Sequence, residues 1–179
     1  MLKSIVDRRS VRSYLPQPVP EDQLLRLIES ARIAPSGSNT QPWRFIVIRE
    51  ASQRAAVTRA CHDQKWMLEA PVHIACVADL GSRIEDSRGI VLTESSPEPE
   101  VKLIIRDTAI ATEHLVLQAQ EEGLSTCWVA WFTQDQIRSV LGVPPHTYVV
   151  AVITVGYSEE RPSPRPRHRM DEILRYERW

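Results

Sequence analysis

Apolar side chains recur at helical spacing in several separate stretches of the chain. The clearest stripe runs from Leu24 to Ala31, where apolar residues stand at positions i, i+3, i+4 and i+7 of one helix face. Pro20 at its start and Pro35 after its end bound this helix. A longer helix is predicted from Ile104 to Glu122, with Gly123 as its C-cap. Three shorter helices are predicted on the apolar face of Leu2, Ile5 and Val6, over Ser52–Ala60, and after the capping box Thr133–Gln136, ending at Gly142.

Four short apolar runs separate these helices and predict strands. They are Trp43–Arg49, Val72–Ala78, Thr126–Ala130 and Tyr148–Val155. The last run is rich in β-branched residues without polar alternation, which predicts a strand buried on both faces. Because strands and helices interleave, we predict a single α/β domain over residues 1–179, with a central sheet of about four core strands flanked by helices.

Two segments show neither the helical nor the strand pattern of apolar residues. Residues 79–100 are dominated by Glu, Ser, Pro and Gly, and a stretch this long in a small domain is more typical of a functional lid than of a plain connector. The C-terminal arm, residues 162–179, begins as an extended Pro/Arg-rich segment. Exposure of its apolar groups would be costly, so we expect them to pack on a partner surface such as a second copy of the chain. These groups are Ile173, Leu174, Tyr176 and Trp179.

Composition narrows the classes of function. A chain of 179 residues with 42% apolar and 25% charged residues is typical of one soluble globular domain. The net charge of −1 gives no general attraction to nucleic acid or membrane, and it argues against a non-enzymatic phosphate-binding or nucleic-acid-binding module. No signal peptide or membrane span is apparent. Three scattered cysteines favour a reducing compartment, so we expect a cytoplasmic protein.

Arginines are concentrated in two segments. Residues 8–12 place three guanidiniums and one hydroxyl within five positions, and residues 165–169 carry a second basic run. Guanidinium forks fit phosphate oxygens two at a time, although a basic run is also typical of a solvated face. No glycine-rich nucleotide loop is present. A bound nucleotide would therefore need side chains such as Arg8, Ser10, Arg165 and Arg167 for its phosphate.

Patterns for other catalytic chemistry are weak. Ser36-Gly37-Ser38 lacks the flanking glycines of a nucleophile elbow, which argues against serine hydrolysis. Cys61-His62 and the pair His73 and Cys76 have only loose metal-like spacing. Residues three apart in a strand point to opposite faces, so no metal shared by His73 and Cys76 is expected.

Four motifs in order resemble the FMN-dependent nitroreductase family over essentially the whole chain. They are Arg8–Arg12, Pro35–Trp43, Gly123–Trp128, and Gly156-Tyr157 followed by Arg165–Arg167. The resemblance implies a homodimer with two FMN molecules in clefts at the subunit interface. It also implies ping-pong reduction of nitroaromatic, quinone or similar small acceptors by NADH or NADPH. The flavin N5 would do the chemistry without a catalytic side chain. Other flavin chemistry, such as reductive dehalogenation or flavin fragmentation, remains an alternative.

The resemblance also assigns residues to the cofactor. Arg8 and Ser10, with Arg165 and Arg167, match the positions that hold the phosphate, and the neighbouring Arg9 is also assigned to cofactor binding. Arg12 matches a basic residue near the pyrimidine edge of the flavin, where a fixed positive charge would favour the reduced ring. A flavin-contacting loop from the other subunit matches Pro35, Ser36, Ser38, Asn39 and Gln41.

The strand end facing the isoalloxazine matches Trp128, Val129 and Ala130. Family members often have glycine at the position of Ala130, and the extra methyl group bears on how closely the backbone can approach the ring. One further flavin-edge position falls on Asp63 or Gln64, and the alignment does not choose between them.

Overall fold

A computed structural model of the chain describes residues 1–96 and 99–179. The helices are α1 (Lys3–Asp7), α2 (Glu21–Arg32), α3 (Ala51–Ala60), α4 (Pro99–Glu121), α5 (Gln134–Leu141) and α6 (Met170–Ile173). The strands are β1 (Trp43–Ile48), β2 (Val72–Asp79), β3 (Ser125–Val129) and β4 (Thr147–Gly156). Short 3₁₀ turns lie at Gly37–Asn39, Lys65–Glu69 and Leu80–Ser82. The predicted elements are present, most with ends shifted by one or two residues.

The four strands form one sheet in the order β1-β2-β4-β3, and each neighbouring pair is antiparallel. Most of β4 is buried on both faces, because it lies inside the sheet and helices cover both sides. This confirms the burial predicted from its β-branched run. The predicted α/β class with a central four-stranded sheet is also confirmed.

Helices pack on the two faces of the sheet and form two separate cores. On one face α2 and α4 bury Leu27, Leu115 and Ile153 together. On the other face α3 and α5 bury Val57, Ile137 and Val152. The predicted cap of α5 is present, since the Thr133 hydroxyl accepts from the Gln136 N–H and Gly142 takes a left-handed conformation.

Helix α4 begins at Pro99, five residues before the predicted start at Ile104. Proline suits the first helical position because the N–H it lacks has no partner there. Within residues 79–96, Leu80 and Leu92 are fully buried against Val101 and Ile104, so much of the predicted lid has a small core of its own. Two residues of the predicted lid, 97 and 98, lie outside the described residues. A lid function for residues 79–100 stays a prediction.

Both chain ends carry apolar side chains that the single chain leaves uncovered. Leu2 and Ile5 are about half exposed or more, on the predicted apolar face of α1. In the C-terminal arm, Ile173 and Tyr176 are 65% and 74% exposed, so this chain does not cover them. Among the described residues, no helix combines the length and the apolar character needed to cross a membrane.

Candidate active site

Residues 8–12 leave the end of α1 and run beside the outer edge of β3. Ser10 forms a parallel bridge with Thr126, and the Val11 N–H donates to the Thr126 carbonyl at 3.0 Å. This pairing fixes the backbone of the segment to the sheet. The arginines on either side of Ser10 are therefore carried by an ordered strand-like segment.

A cleft of about 400 Å³ lies between this segment and the start of the C-terminal arm. Among the described residues, its lining contains five arginines and a single carboxylate; the lining residues are Arg8, Arg9, Ser10, Arg12, Glu160, Pro162, Ser163, Arg165 and Arg167. The structure thus brings together the two arginine segments that the sequence separates by about 150 positions. We call this group of residues the arginine cleft. A surplus of guanidiniums over carboxylates suits a phosphate monoester dianion.

The guanidiniums of the arginine cleft have few acidic partners within the described part of the chain. The closest carboxylate to any of the five is Glu113, at 4.0 Å from Arg8 Nε. Among the residues that the structure describes, Arg9 donates only to the carbonyl oxygens of Val6 and Arg8, both at 2.7 Å. By contrast, Arg26 outside the cleft is held by both carboxylate oxygens of Glu122, at 2.6 and 2.7 Å. The cleft arginines keep donor capacity for an anionic ligand.

Glu160 orients the backbone at Arg12. One of its carboxylate oxygens accepts from the Arg12 N–H at 2.7 Å and from the Ser13 N–H at 3.0 Å. The Arg12 guanidinium carbon lies 5.6 Å from the centre of the Trp66 ring, which is cation–π distance. Arg12 is therefore fixed at both its backbone and its side chain.

Two buried titratable groups behind the cleft, Tyr14 and Cys127, are held in their neutral forms. Burial raises the pKa of Tyr14 well above its usual value, although its hydrogen bond to Thr154 opposes the shift. Burial also raises the pKa of Cys127. A neutral phenol and a neutral thiol are poor bases at pH 7.

The loop at residues 35–41 lies at the opposite edge of the sheet, just before β1. Ser38, Asn39 and Gln41 have φ values of 52°, 56° and 47°, in the left-handed region that non-glycine residues rarely adopt. The Ser36 hydroxyl accepts from the Gln41 N–H at 3.0 Å. Since β1 and β3 are three strand spacings apart, roughly 14 Å, the loop does not join the arginine cleft of its own chain.

The predicted residues at the end of β3 divide between core and surface. Trp128 packs against the α2–α4 core, Val129 is buried in the α3–α5 core, and Ala130 is exposed. None of the three lines the arginine cleft.

An aromatic pair beside this strand end was not anticipated from the sequence. The His62 ring stacks on the Trp131 indole with centroids 4.3 Å apart and an interplanar angle of 23°. Trp131 remains 65% exposed, and His62 and Asp63 have φ values of 56° and 51°. The one sequence signal was a tryptophan directly after the strand. The neighbouring Gln64 amide donates to the Cys61 carbonyl at 3.0 Å, so its side chain folds onto its own turn.

A comparison with models of known protein families identifies the family of the chain. The model of the Nitroreductase family matches residues 5–157, which is most of the chain. The chain belongs to the nitroreductase family. Membership confirms the resemblance drawn from the four motifs. It also confirms the fold class and the expectation of an NAD(P)H-dependent flavin oxidoreductase.

Individual nitroreductase-family relatives match over similar lengths. The chain is 28% identical to a protein named NADH dehydrogenase from Thermus thermophilus, over 93% of this chain and 91% of that one. It is 25% identical to a Bacillus subtilis FMN reductase, over 93% of this chain and 69% of that one. A crystal structure of a nitroreductase family protein from Clostridium difficile 630 superposes with a TM-score of 0.81 at 30% identity, covering 98% and 97% of the two chains.

Proposed function

We propose that the chain is an FMN-dependent oxidoreductase that uses NADH or NADPH to reduce small acceptors such as nitroaromatics and quinones by a ping-pong mechanism. The observation that carries this proposal is the arginine cleft, where five guanidiniums face one carboxylate. Bound FMN would supply hydride and electron transfer at its N5 atom. Arg8, Ser10, Arg165 and Arg167 hold the phosphate in this proposal, and the neighbouring Arg9 adds a further positive charge.

Arg12 acts on the ring rather than on the phosphate in this proposal. Its guanidinium is fixed over Trp66 and its backbone is fixed by Glu160. A positive charge that is already in place stabilises the negative charge of a reduced flavin without reorganisation. No acid or base from the protein is needed for this role.

The proposed working unit is a homodimer with two sites. In one chain the loop at residues 35–41 and the arginine cleft occupy opposite edges of the sheet. In a twofold dimer, the loop of each subunit can meet the cleft of the other, which produces two equivalent sites. The exposed apolar groups of α1 and of the C-terminal arm would find cover in the same interface.

The stacked pair of His62 and Trp131 is proposed to contact the acceptor. It presents an exposed flat aromatic surface beside the end of β3, where the resemblance places the flavin ring. Planar acceptors such as quinones and nitroaromatics stack well on such surfaces. The proposal places the enzyme in the cytoplasm, where its three free and buried cysteines would stay reduced.

Purification of the full-length protein tests the proposal directly. We expect a yellow protein that binds FMN and oxidises NADH or NADPH when a quinone or nitroaromatic is supplied. A panel of acceptors, followed by loss of NAD(P)H absorbance with each nucleotide, would identify the preferred pair. A folded protein that binds no FMN at micromolar concentration would overturn the proposed function.

A further inference from the structure

The strained loop at residues 35–41 is held by side chains from outside it. Asp107, on α4, is 1% exposed and accepts from the Gly37 N–H at 2.9 Å. Arg106 donates to the other oxygen of the same carboxylate at 3.0 and 3.1 Å. The contact joins residues 70 positions apart, so local turn chemistry does not account for it.

A second contact reaches the same residue, Gly37, from the segment before α4. Arg83 Nη1 lies 3.4 Å from both the Gly37 carbonyl oxygen and the Thr40 hydroxyl. The Nε atom of Arg83 donates to the Glu100 carboxylate, which keeps the largely buried side chain in place. The Gly37 residue is thus contacted at its N–H by α4 and at its carbonyl by residues 79–96.

Backbone in sparsely populated conformations persists only where the surroundings determine it. Ser38 and Asn39 follow Gly37 directly and both take left-handed conformations. Asp107 and Arg83 are therefore in position to supply the external restraint. We infer that Asp107 and the Arg83–Glu100 pair are positioning residues, which hold the loop in the shape that contacts the flavin ring. This inference rests on the proposed function.

Two contributions to cofactor binding can be measured separately, the contact of the loop with the ring and the contact of the cleft with the phosphate. Riboflavin lacks the phosphate but retains the ring. A defect in the loop therefore lowers the affinities for FMN and riboflavin by the same factor. A defect in the proposed phosphate ligands of the arginine cleft, Arg8, Ser10, Arg165 and Arg167, weakens the binding of FMN alone. The ratio of the two dissociation constants therefore reports which region of the site has changed, independently of turnover.

The experiment measures FMN and riboflavin binding by quenching of flavin fluorescence in the full-length protein. Asp107→Ala is expected to weaken both flavins about tenfold, because the Gly37 N–H loses its buried acceptor. Asp107→Asn should recover most of the loss, since its amide oxygen can still accept from Gly37. Arg83→Gln, at a less buried position, should weaken both flavins by a smaller factor.

A matched control removes a different buried polar group from α4. Thr112 is fully buried and donates to the Thr108 carbonyl at 2.8 Å, away from the loop. Thr112→Val should change thermal stability without changing either dissociation constant. Folded Asp107→Ala and Arg83→Gln proteins with wild-type affinity for both flavins would overturn the inference alone. A wild-type protein that binds neither flavin would overturn the proposed function and this inference with it.

Discussion

The arginine cleft and the loop at residues 35–41, the two parts of the proposed cofactor site, differ in how their polar groups are held. In the cleft, five of the described arginines line an open space, and few of their guanidiniums have acidic partners among the described residues. In the loop, the backbone is strained and its polar atoms are bonded to the rest of the chain. Apart from Arg12, which Trp66 and Glu160 hold, the cleft offers charge on flexible side chains, whereas the loop offers a fixed shape.

This difference implies different costs when a ligand binds. Arginine side chains lose rotamer freedom on binding, and charge-assisted contacts to phosphate must offset that loss. The loop has already been ordered during folding, so contact with a flavin ring costs it little further entropy. We therefore expect substitutions of the cleft arginines to have large effects on FMN affinity. Substitutions near the ring should have smaller effects, on flavin affinity or on the potential of the bound flavin.

Removal of the C-terminal arm should have the largest effect on the cleft. Ending the chain after Pro162 deletes Arg165 and Arg167 together with the exposed apolar groups. Burial of such apolar side chains is worth on the order of 1.5–3 kcal/mol each. We expect a dimer weakened by about 100-fold or more and a largely colourless protein, measured by sedimentation and by flavin absorbance.

A shorter truncation serves as the control for the arm. Ending the chain after Arg169 keeps both cleft arginines and deletes Ile173, Leu174, Tyr176 and Trp179. We expect this variant to lose dimer stability while each remaining dimer still binds FMN. If the protein ending at Pro162 stays dimeric and fully loaded with FMN, the arm has neither role.

Removal of two cleft arginines should have the next largest effect. Arg8→Ala combined with Arg167→Ala deletes two charge-assisted contacts worth roughly 1.5–3 kcal/mol each. FMN affinity should fall by about 100-fold or more, while riboflavin affinity stays near wild type. The charge-matched control is Arg59→Ala with Arg88→Ala, both exposed and outside the cleft. Equal losses for FMN and riboflavin would show that the cleft does not hold the phosphate.

The same comparison shows which features a sequence can predict. The β-branched run of β4 and the caps at Thr133 and Gly142 are local signals, and each predicts the observed element. Asp107 has no such signal, because a single acid in a helix is usually solvated, and its partner Gly37 lies 70 positions away. The stacking of His62 on Trp131 likewise depends on tertiary contact.

The start of α4 is harder to predict from the sequence, because its first turn is rich in polar residues. The residues from Pro99 onward are helical because Val101 finds a core with Leu80 and Leu92, which the periodicity before Ile104 does not reveal. The residue types in the two arginine segments lead the sequence analysis to assign both segments to one phosphate. The structure adds how they meet, because the arm packs beside residues 8–12.

Substitution of Arg12 tests the proposed interaction between the protein and the flavin ring. Arg12→Ala should leave FMN bound but lower the two-electron potential of the bound flavin, because a fixed positive charge near the reduced ring is lost. An interaction of about 1–2 kcal/mol corresponds to roughly 20–40 mV for this couple. Redox titration measures the shift, and Arg12→Lys, which retains the charge, should recover part of it. An unchanged potential would limit Arg12 to contact with Trp66 or the ribityl chain.

Substitution of Glu160 should have the smallest effect, and it should make FMN bind more tightly. Its carboxylate is the one acidic group among the described residues that line the arginine cleft, and it would repel a bound phosphate. Glu160→Gln removes the charge and keeps an oxygen that can accept from the Arg12 and Ser13 N–H groups. Loss of about 1 kcal/mol of repulsion predicts roughly fivefold tighter FMN binding with riboflavin unchanged.

The Glu160→Ala variant separates this charge effect from the hydrogen bonds. It also removes the negative charge, but it leaves the N–H groups of Arg12 and Ser13 without their acceptor. We expect its gain in FMN affinity to be smaller than that of Glu160→Gln, because the backbone that carries Arg12 is less well held. Weaker FMN binding by Glu160→Gln would show that the charged carboxylate, through its hold on Arg12, contributes more to the site than its repulsion costs.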